Sequence, residues 1–476
     1  MTELVARLFR TQPLDRLRPE HEGPPLRRVL RKPGLVGIGL GTMLGGIFTT
    51  IGAGALTAGP GVILAFALSG LACFFVALCY AELASMVPIA GSAYTYAYAT
   101  LGEIVAWIIG WDLILEYGIS VAPVAASWSG YLQAYVQNFG ITLPAWAQTA
   151  HLALAGGRLD LAHTQVDLIA GLVVLAIAIL LAIGIKESST ANTTLVVVQV
   201  VAMIVFIVGL IGAIRPANLH PFLPLGIHGV VTSAALVFFA YIGFDTVTVA
   251  SEEAVIPAKD IPFGIIASLA IGAVLYLGIA YVTVGVVPWR HIDQNSGMAD
   301  AVKHAGNNPL LATIVAIGAI GGTTTVMLTS MLGQIRIFYV MARDGMLPRI
   351  VARTSRKTLT PVFTTLVTGV VVAVLAALIP LDLLLALVNI GTLSAFAIVC
   401  LGVLVLRFVE PERERPYKAP LGPLVASLGL AMCLYLMIYG LSGATWLRFV
   451  VWFCAGMVIY AAYGYRHSLL RAAERR

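Results

Sequence analysis

Charge is what this sequence has least of. Only 11% of its 476 residues are charged, while 59% are hydrophobic; soluble domains carry roughly 25% charged residues. The mean hydropathy is +0.93. A soluble chain of this length needs charge to cover its surface, so an ordinary soluble fold is excluded and the outer surface must face lipid. Cysteine is also sparse. Cys73, Cys79, Cys400, Cys433 and Cys454 all lie in apolar stretches, with no CxxC pair and no histidine at ligand spacing. They read as packed thiols, and neither a metal site nor a disulfide framework is expected. HExxH, GxSxG and paired aspartates on adjacent spans are absent, which argues against an intramembrane enzyme. Residues 1–33 have no apolar core before a cleavage site, so they are not read as a signal peptide and the first span is expected to direct insertion.

What is present is a succession of long apolar runs. A bilayer core about 30 Å thick needs roughly 20 apolar residues per helical span. The runs predict an all-α polytopic membrane protein with twelve transmembrane helices. Their positions are near 35–57, 61–87, 102–124, 166–185, 193–214, 229–250, 263–288, 311–333, 362–379, 383–406, 422–440 and 446–465. The fifth, LVVVQVVAMIVFIVGLIGAI, holds a single polar residue. Continuous apolar runs exclude the alternating pattern of a β-barrel.

Of the 29 Lys and Arg residues, all but Arg158, Arg215, Arg290, Lys303 and Arg448 fall on the side of the N-terminal tail. The positive-inside rule then puts both termini in the cytoplasm of a cell-membrane protein, and it explains the net charge of +6 without nucleic acid. The outer connection near 125–165, with Trp128, Trp146, His151 and His163, is expected to hold an interfacial helix. The segment 88–101, PIAGSAYTYAYATL, is too short to span and is expected to lie along the inner interface or under the bundle.

Two spans carry unusual chemistry. The first, GLVGIGLGTMLGGIFTTIGAGA, has glycines at 34, 37, 39, 41, 45, 46 and 52. Glycine costs about 1 kcal/mol relative to alanine inside a helix. Close helix packing explains such a run. So does a break near the midplane at Gly45-Gly46, tolerated only where it lines a cavity or a ligand. A break presents N–H donors suited to a carboxylate on one side and free carbonyls suited to an ammonium on the other. The sixth span, FFAYIGFDTVTVASEE, is interrupted by Gly243 and carries Asp245. Glu116 in the third span poses the same problem of a carboxylate in an apolar run, with Asp112 one turn before it. A charge at the bilayer centre costs at least about 2.5–3.5 kcal/mol, so such acids must be paired, protonated or beside water. Interrupted helices at matching places in two halves point to a transporter site.

The expected organisation is a cytoplasmic tail (1–33), a five-helix repeat (34–214), a second, inverted five-helix repeat (229–406), two additional helices (422–465) and a C-terminal tail (466–476). Helices 1 and 6 are the broken pair of this 5+5 inverted repeat.

The string GLGTMLGGIF resembles the first-helix signature of the amino acid–polyamine–organocation superfamily. FFAYIGFD with ASEEAVIPAKDIPFGI resembles its sixth helix and following loop. GWDLILEYGISVAPVAASWSGY and LTSMLGQIRIFYVMARDGMLP are similar to the third and eighth helices of its cationic amino acid transporter branch. The resemblance covers about residues 30–410 and implies a substrate held by unwound parts of helices 1 and 6. It implies that Thr42, Met43, Gly45 and Gly46 offer backbone groups to the substrate carboxylate, and that Phe239, Ala240 and Ile242 offer carbonyls to its amine. The Phe239 ring is the implied gate, and Glu116 and Asp245 the implied coupling network. The usual GxxxGxGIF pattern is one residue short at Leu44-Gly45-Gly46-Ile47.

Counted from the KES motif at Lys186, the lysine of proton-coupled members is replaced by Gln199, which cannot titrate. Proton coupling through that position is excluded; sodium coupling, coupling through Glu116 or Asp245, and uncoupled exchange stay open.

The reading is a secondary transporter (symporter or exchanger) for amino acids. Its expected partners are the small-molecule substrate and membrane lipid, with no cofactor beyond a coupling H+ or Na+. The weighed alternatives are a polyamine or other organocation transporter and a non-transporting amino acid sensor. The sensor calls for a sizeable cytoplasmic domain, and both tails are short. Whether the substrate is cationic or neutral, and the oligomeric state, are not fixed by the sequence.

Overall fold

The computed structural model describes residues 30–86, 92–151, 154–155, 158–159, 164–184, 189–355 and 360–468. The N-terminal arginines up to Arg28, residues 88–91 of the inner segment, His163, Lys186, Arg356, Lys357 and the tail beyond 468 lie outside the described residues.

The fold is built from helices. They run in order α1 (Lys32–Met43), α2 (Gly45–Ala58), α3 (Val62–Met86), α4 (Ser92–Thr100), α5 (Glu103–Leu113) and α6 (Val121–Gln137). A π-helical turn, Ile114–Ile119, joins α5 to α6. Then come α7 (Leu168–Ile183), α8 (Ser189–Leu210), α9 (Gly226–Val237), α10 (Pro257–Val286), α11 (Gly297–His304) and α12 (Pro309–Arg343). The chain closes with α13 (Val362–Leu378), α14 (Leu381–Val409), α15 (Pro423–Gly440) and α16 (Gly443–Ile459). Among the described residues, nine helical stretches are long and apolar enough to cross a membrane, and α7 and α13 are shorter apolar helices. One of the nine, Lys32–Met86, doubles back at Gly59-Pro60-Gly61, where Gly59 takes φ +63°. The chain is a polytopic helical membrane protein.

The helices pack as a bundle around α1–α2, α9 and α12. α3 lies along α10, α8 along α12, α9 along α2, and α13 along α7. Polar caps start several helices: Asp167 Oδ1 accepts the Ala170 N–H at 2.9 Å for α7, and Asn308 does the same for α12. Such caps satisfy end groups that lipid cannot.

Two expectations change. The third span does not end at 124, because α6 continues to Gln137. Its small buried residues Ala122, Ala125 and Ser129 allow close packing against α12 and α7. Trp128 therefore sits within the bundle, its indole N–H donating to Thr324 Oγ1 at 3.0 Å. The described residues of the connection after α6 form a short 3₁₀ turn at Ala145–Ala147 and a hairpin pairing Leu154-Ala155 with Arg158-Leu159, and hold no interfacial helix.

Arg407 and Arg415 are not left to solvent. Glu82, buried on α3, accepts from Arg407 and from the Ala419 N–H at 2.9 Å, and Arg415 Nε lies 3.4 Å away as an ion pair. This fastens the α14–α15 connection onto α3. The segment after residue 91 does pack under the bundle: the rings of Tyr94, Tyr96 and Tyr98 on α4 are buried, and the Tyr94 hydroxyl donates to Asp344 at 2.9 Å.

Candidate ligand-binding site

Gly243 determines the local structure of the sixth span. α9 ends at Val237 and tightens into a 3₁₀ turn over Phe238–Tyr241. Ile242 is extended (φ −63°, ψ 136°) and Gly243 left-handed (φ +116°), a conformation that favours glycine. The chain resumes as a 3₁₀ helix over Phe244–Glu253. This break is wide, and side chains from other helices satisfy carbonyls around it. Asn389 of α14 donates to Ala235 O at 2.7 Å and Leu236 O at 2.8 Å. Thr42 donates to Gly243 O at 2.8 Å, and Tyr276 of α10 reaches Ala240 O at 2.8 Å.

The first span behaves differently. Its interruption falls at Leu44, one residue before the glycine pair, and is one residue wide. Leu44 keeps helical dihedrals (φ −61°, ψ −26°), and its N–H bonds Leu40 O at 2.9 Å. No unwound loop forms at Gly45-Gly46. These glycines serve close approach instead. A methyl group on Gly46 would lie 2.7 Å from Ala240 Cα, and one on Gly45 would lie 2.9 Å from Gly322 O. Both are below any ordinary contact distance, so helix 1 seats its backbone directly against the break in helix 6 and against α12.

Between these elements lies a small hollow of about 30 Å³, lined by Thr42, Gly46, Glu116, Tyr117, Phe239, Ile242, Gly243, Thr246 and, from α12, Val326, Thr329 and Ser330, with Ser120. Five sequence-assigned residues meet here: Thr42, Gly46, Glu116, Phe239 and Ile242. The others do not line it. Met43 turns its side chain towards α10, where a methyl on Gly272 would lie 2.0 Å from Met43 Cε. Gly45 faces α12. Ala240 backs onto Gly46. Asp245 is buried behind the wall, and its Oδ2 accepts the Tyr117 hydroxyl at 3.0 Å. Gln199 is buried behind Gly322, where a methyl would lie 3.0 Å from its Cδ. Gly322 therefore stands between Gln199 and helix 1.

The wall has a chemical bias. The Thr42, Thr246 and Thr329 hydroxyls donate to backbone carbonyls, as does Ser120 Oγ. Their remaining capacity is as acceptors. Glu116, buried in the π-helical turn, has no hydrogen-bond partner for either carboxylate oxygen among the described residues. π-helical turns shift the face that a helix presents. Here the turn puts Glu116, Tyr117 and Ser120 on one wall.

Sequence reasoning missed Tyr117, Ser120, Thr329, Ser330, Asn389 and Tyr276. A lone hydroxyl in an apolar run looks like any packed residue until its partner carbonyl is known.

Comparison with known proteins shows the family. The family described as amino acid permease matches residues 34–461. The chain is 41% identical over 468 residues to the methylthioribose transporter of Bacillus subtilis (strain 168), covering 98% of this chain and 100% of that protein. It is 43% identical over 446 residues to the branched-chain amino acid permease BcaP of the same organism, covering 94% and 95%. It is 38% identical over 405 residues to the vacuolar cationic amino acid transporter 4 of Arabidopsis thaliana, covering 83% and 66%.

Proposed function

The chain belongs to the amino acid permease family and transports amino acids rather than catalysing a reaction, and from that premise we propose how it holds and moves them. The substrate lies in the hollow between helix 1 and the broken sixth span. Its charged ends meet backbone groups at Thr42 and Gly46 and at Phe239, Ile242 and Gly243, and Phe239 closes over it. Alternating access then rocks one part of the bundle against the other around a fixed site. The observation that carries this reading is the hollow itself, with the Thr42, Thr246 and Thr329 hydroxyls and Glu116 in its wall. It lies at a helix break inside an apolar protein, where an unsatisfied backbone group is tolerated only beside a cavity or ligand.

The same reading takes the chain as twelve spans in a 5+5 inverted repeat with two further helices. Counting α1–α2 as one span, α5–α6 as another and the short α7 and α13 as spans supports twelve. The lysine and arginine bias supports a cell-membrane protein with both termini in the cytoplasm. Coupling, where present, runs through Glu116 and Asp245 rather than through Gln199.

The relatives' names span a sugar thioether, branched-chain and cationic amino acids, so membership leaves the side chain open. The wall favours a substrate whose side chain donates hydrogen bonds, because its hydroxyls and the Glu116 carboxylate offer acceptors. Purified protein in liposomes, challenged with labelled amino acids, tests this. Uptake of lysine, arginine or serine above that of valine or leucine supports it. Preference for valine or leucine contradicts the assignment of the wall, and no uptake of any amino acid or polyamine contradicts the site.

A further inference from the structure

We propose that Tyr276 is a positioning residue that sets the spacing between the two interrupted helices by sharing one hydroxyl proton between them. Its Oη lies 2.7 Å from Met43 O on helix 1 and 2.8 Å from Ala240 O on the sixth span. A phenol has one proton to donate. Two carbonyls held at nearly equal distance therefore alternate as its acceptor, and the hydroxyl acts as a common pivot for both chains.

The ring is held firmly. It is fully buried, packs edge-on against Tyr241 with centroids 5.1 Å apart, and lies 5.9 Å from Phe66. Tyr241 is itself anchored, its hydroxyl donating to Phe66 O at 2.9 Å. One turn earlier on the same face of α10, Gly272 leaves the space that Met43's side chain fills. α10 thus receives Met43 twice, by its side chain and by its carbonyl.

Neither Met43 nor Ala240 lines the hollow, so Tyr276 acts from the far side. On the near side the Thr42 hydroxyl makes the matching tie to Gly243 O. The two ties bracket the strip of backbone that faces the ligand. The inference rests on the hollow being the substrate site and adds the residue that keeps its two walls in register.

Tyr276→Phe keeps the ring and removes the proton. In reconstituted liposomes its KM should rise on the order of tenfold, the effect of losing a buried hydrogen bond that aligns two binding surfaces. The maximal rate per inserted molecule should change little. A merely structural role would lower the yield of inserted protein and leave KM alone, so an unchanged KM overturns the proposal.

If the phenylalanine variant is not recovered folded, 3-fluorotyrosine incorporated at 276 decides, since it keeps the hydroxyl and makes it a stronger donor. A lowered KM supports the proposal, and an unchanged KM overturns it. Wild-type protein is measured alongside. Absence of amino acid binding there removes the site and the pivot together. Equal affinity in wild type and variant removes only the pivot.

Discussion

Helix 1 and the sixth span invite comparison because both are interrupted where the hollow lies, and they reach that state by different means. Helix 1 has seven glycines between 34 and 52 and stays helical, yielding one lapse at Leu44. The sixth span has Gly243 alone in its break and comes apart over Phe238–Gly243. The number of glycines does not decide a break. What decides it is whether a glycine sits at positive φ, as Gly243 does, or lends its missing side chain to a neighbour's backbone, as Gly45 and Gly46 do. One span supplies an opened backbone, and the other supplies a surface smooth enough to lie against it.

The contrast is most easily broken at Gly243. Gly243→Ala places a β-carbon at φ +116° and within 3.0 Å of Thr42. The left-handed region alone costs roughly 1–2 kcal/mol. Uptake should fall to near background while the protein still inserts, as read by liposome flux against the amount reconstituted. Retained uptake would mean the break can close without consequence.

Gly46→Ala probes the other partner. Its methyl would press on Ala240 Cα, so uptake should fall at least about tenfold, with Gly37→Ala as the control because nothing lies within 4 Å of that position. Equal behaviour of the two variants would mean that close approach is not what Gly46 provides.

Phe239→Ala is expected to weaken apparent affinity more than maximal rate, since it removes the closing ring and leaves the backbone break intact. KM and maximal rate measured separately decide this.

The smallest effect is expected from Gln199→Lys. The residue sits behind Gly322, outside the hollow. Uptake should acquire a changed pH or cation dependence with little change in substrate preference. An identical response before and after would leave Gln199 as a packing residue.

How much of this was legible in sequence follows from the same contrast. The spans were readable because lipid enforces long apolar runs, but three helices outrun their apolar cores: α6 continues to Gln137, α12 to Arg343, and α10 begins at Pro257. The break at Gly243 was readable because an isolated glycine beside a carboxylate in an apolar run has few other uses. The state of helix 1 was not readable, since packing glycines and unwinding glycines look alike until the neighbour that occupies the vacated space is known. Ala240 and Gly322 are far from Gly46 and Gly45 in the chain. The same holds for Tyr276 and Asn389, whose partners are backbone carbonyls that no side-chain pattern reveals. Glu116 was singled out for its charge, but its place on the cavity wall depends on the π-helical turn, and nothing in ILEYGI announces that turn.

The central claim is that peptide groups of the two interrupted helices grip both charged ends of an amino acid. Competition binding to the purified protein tests it most directly, using a transported amino acid, its methyl ester and its N-acetyl derivative against the labelled substrate. The free amino acid should displace the label, and both blocked derivatives should fail, because each removes one charged end. Displacement by either derivative at the concentration of the free amino acid would contradict the claim.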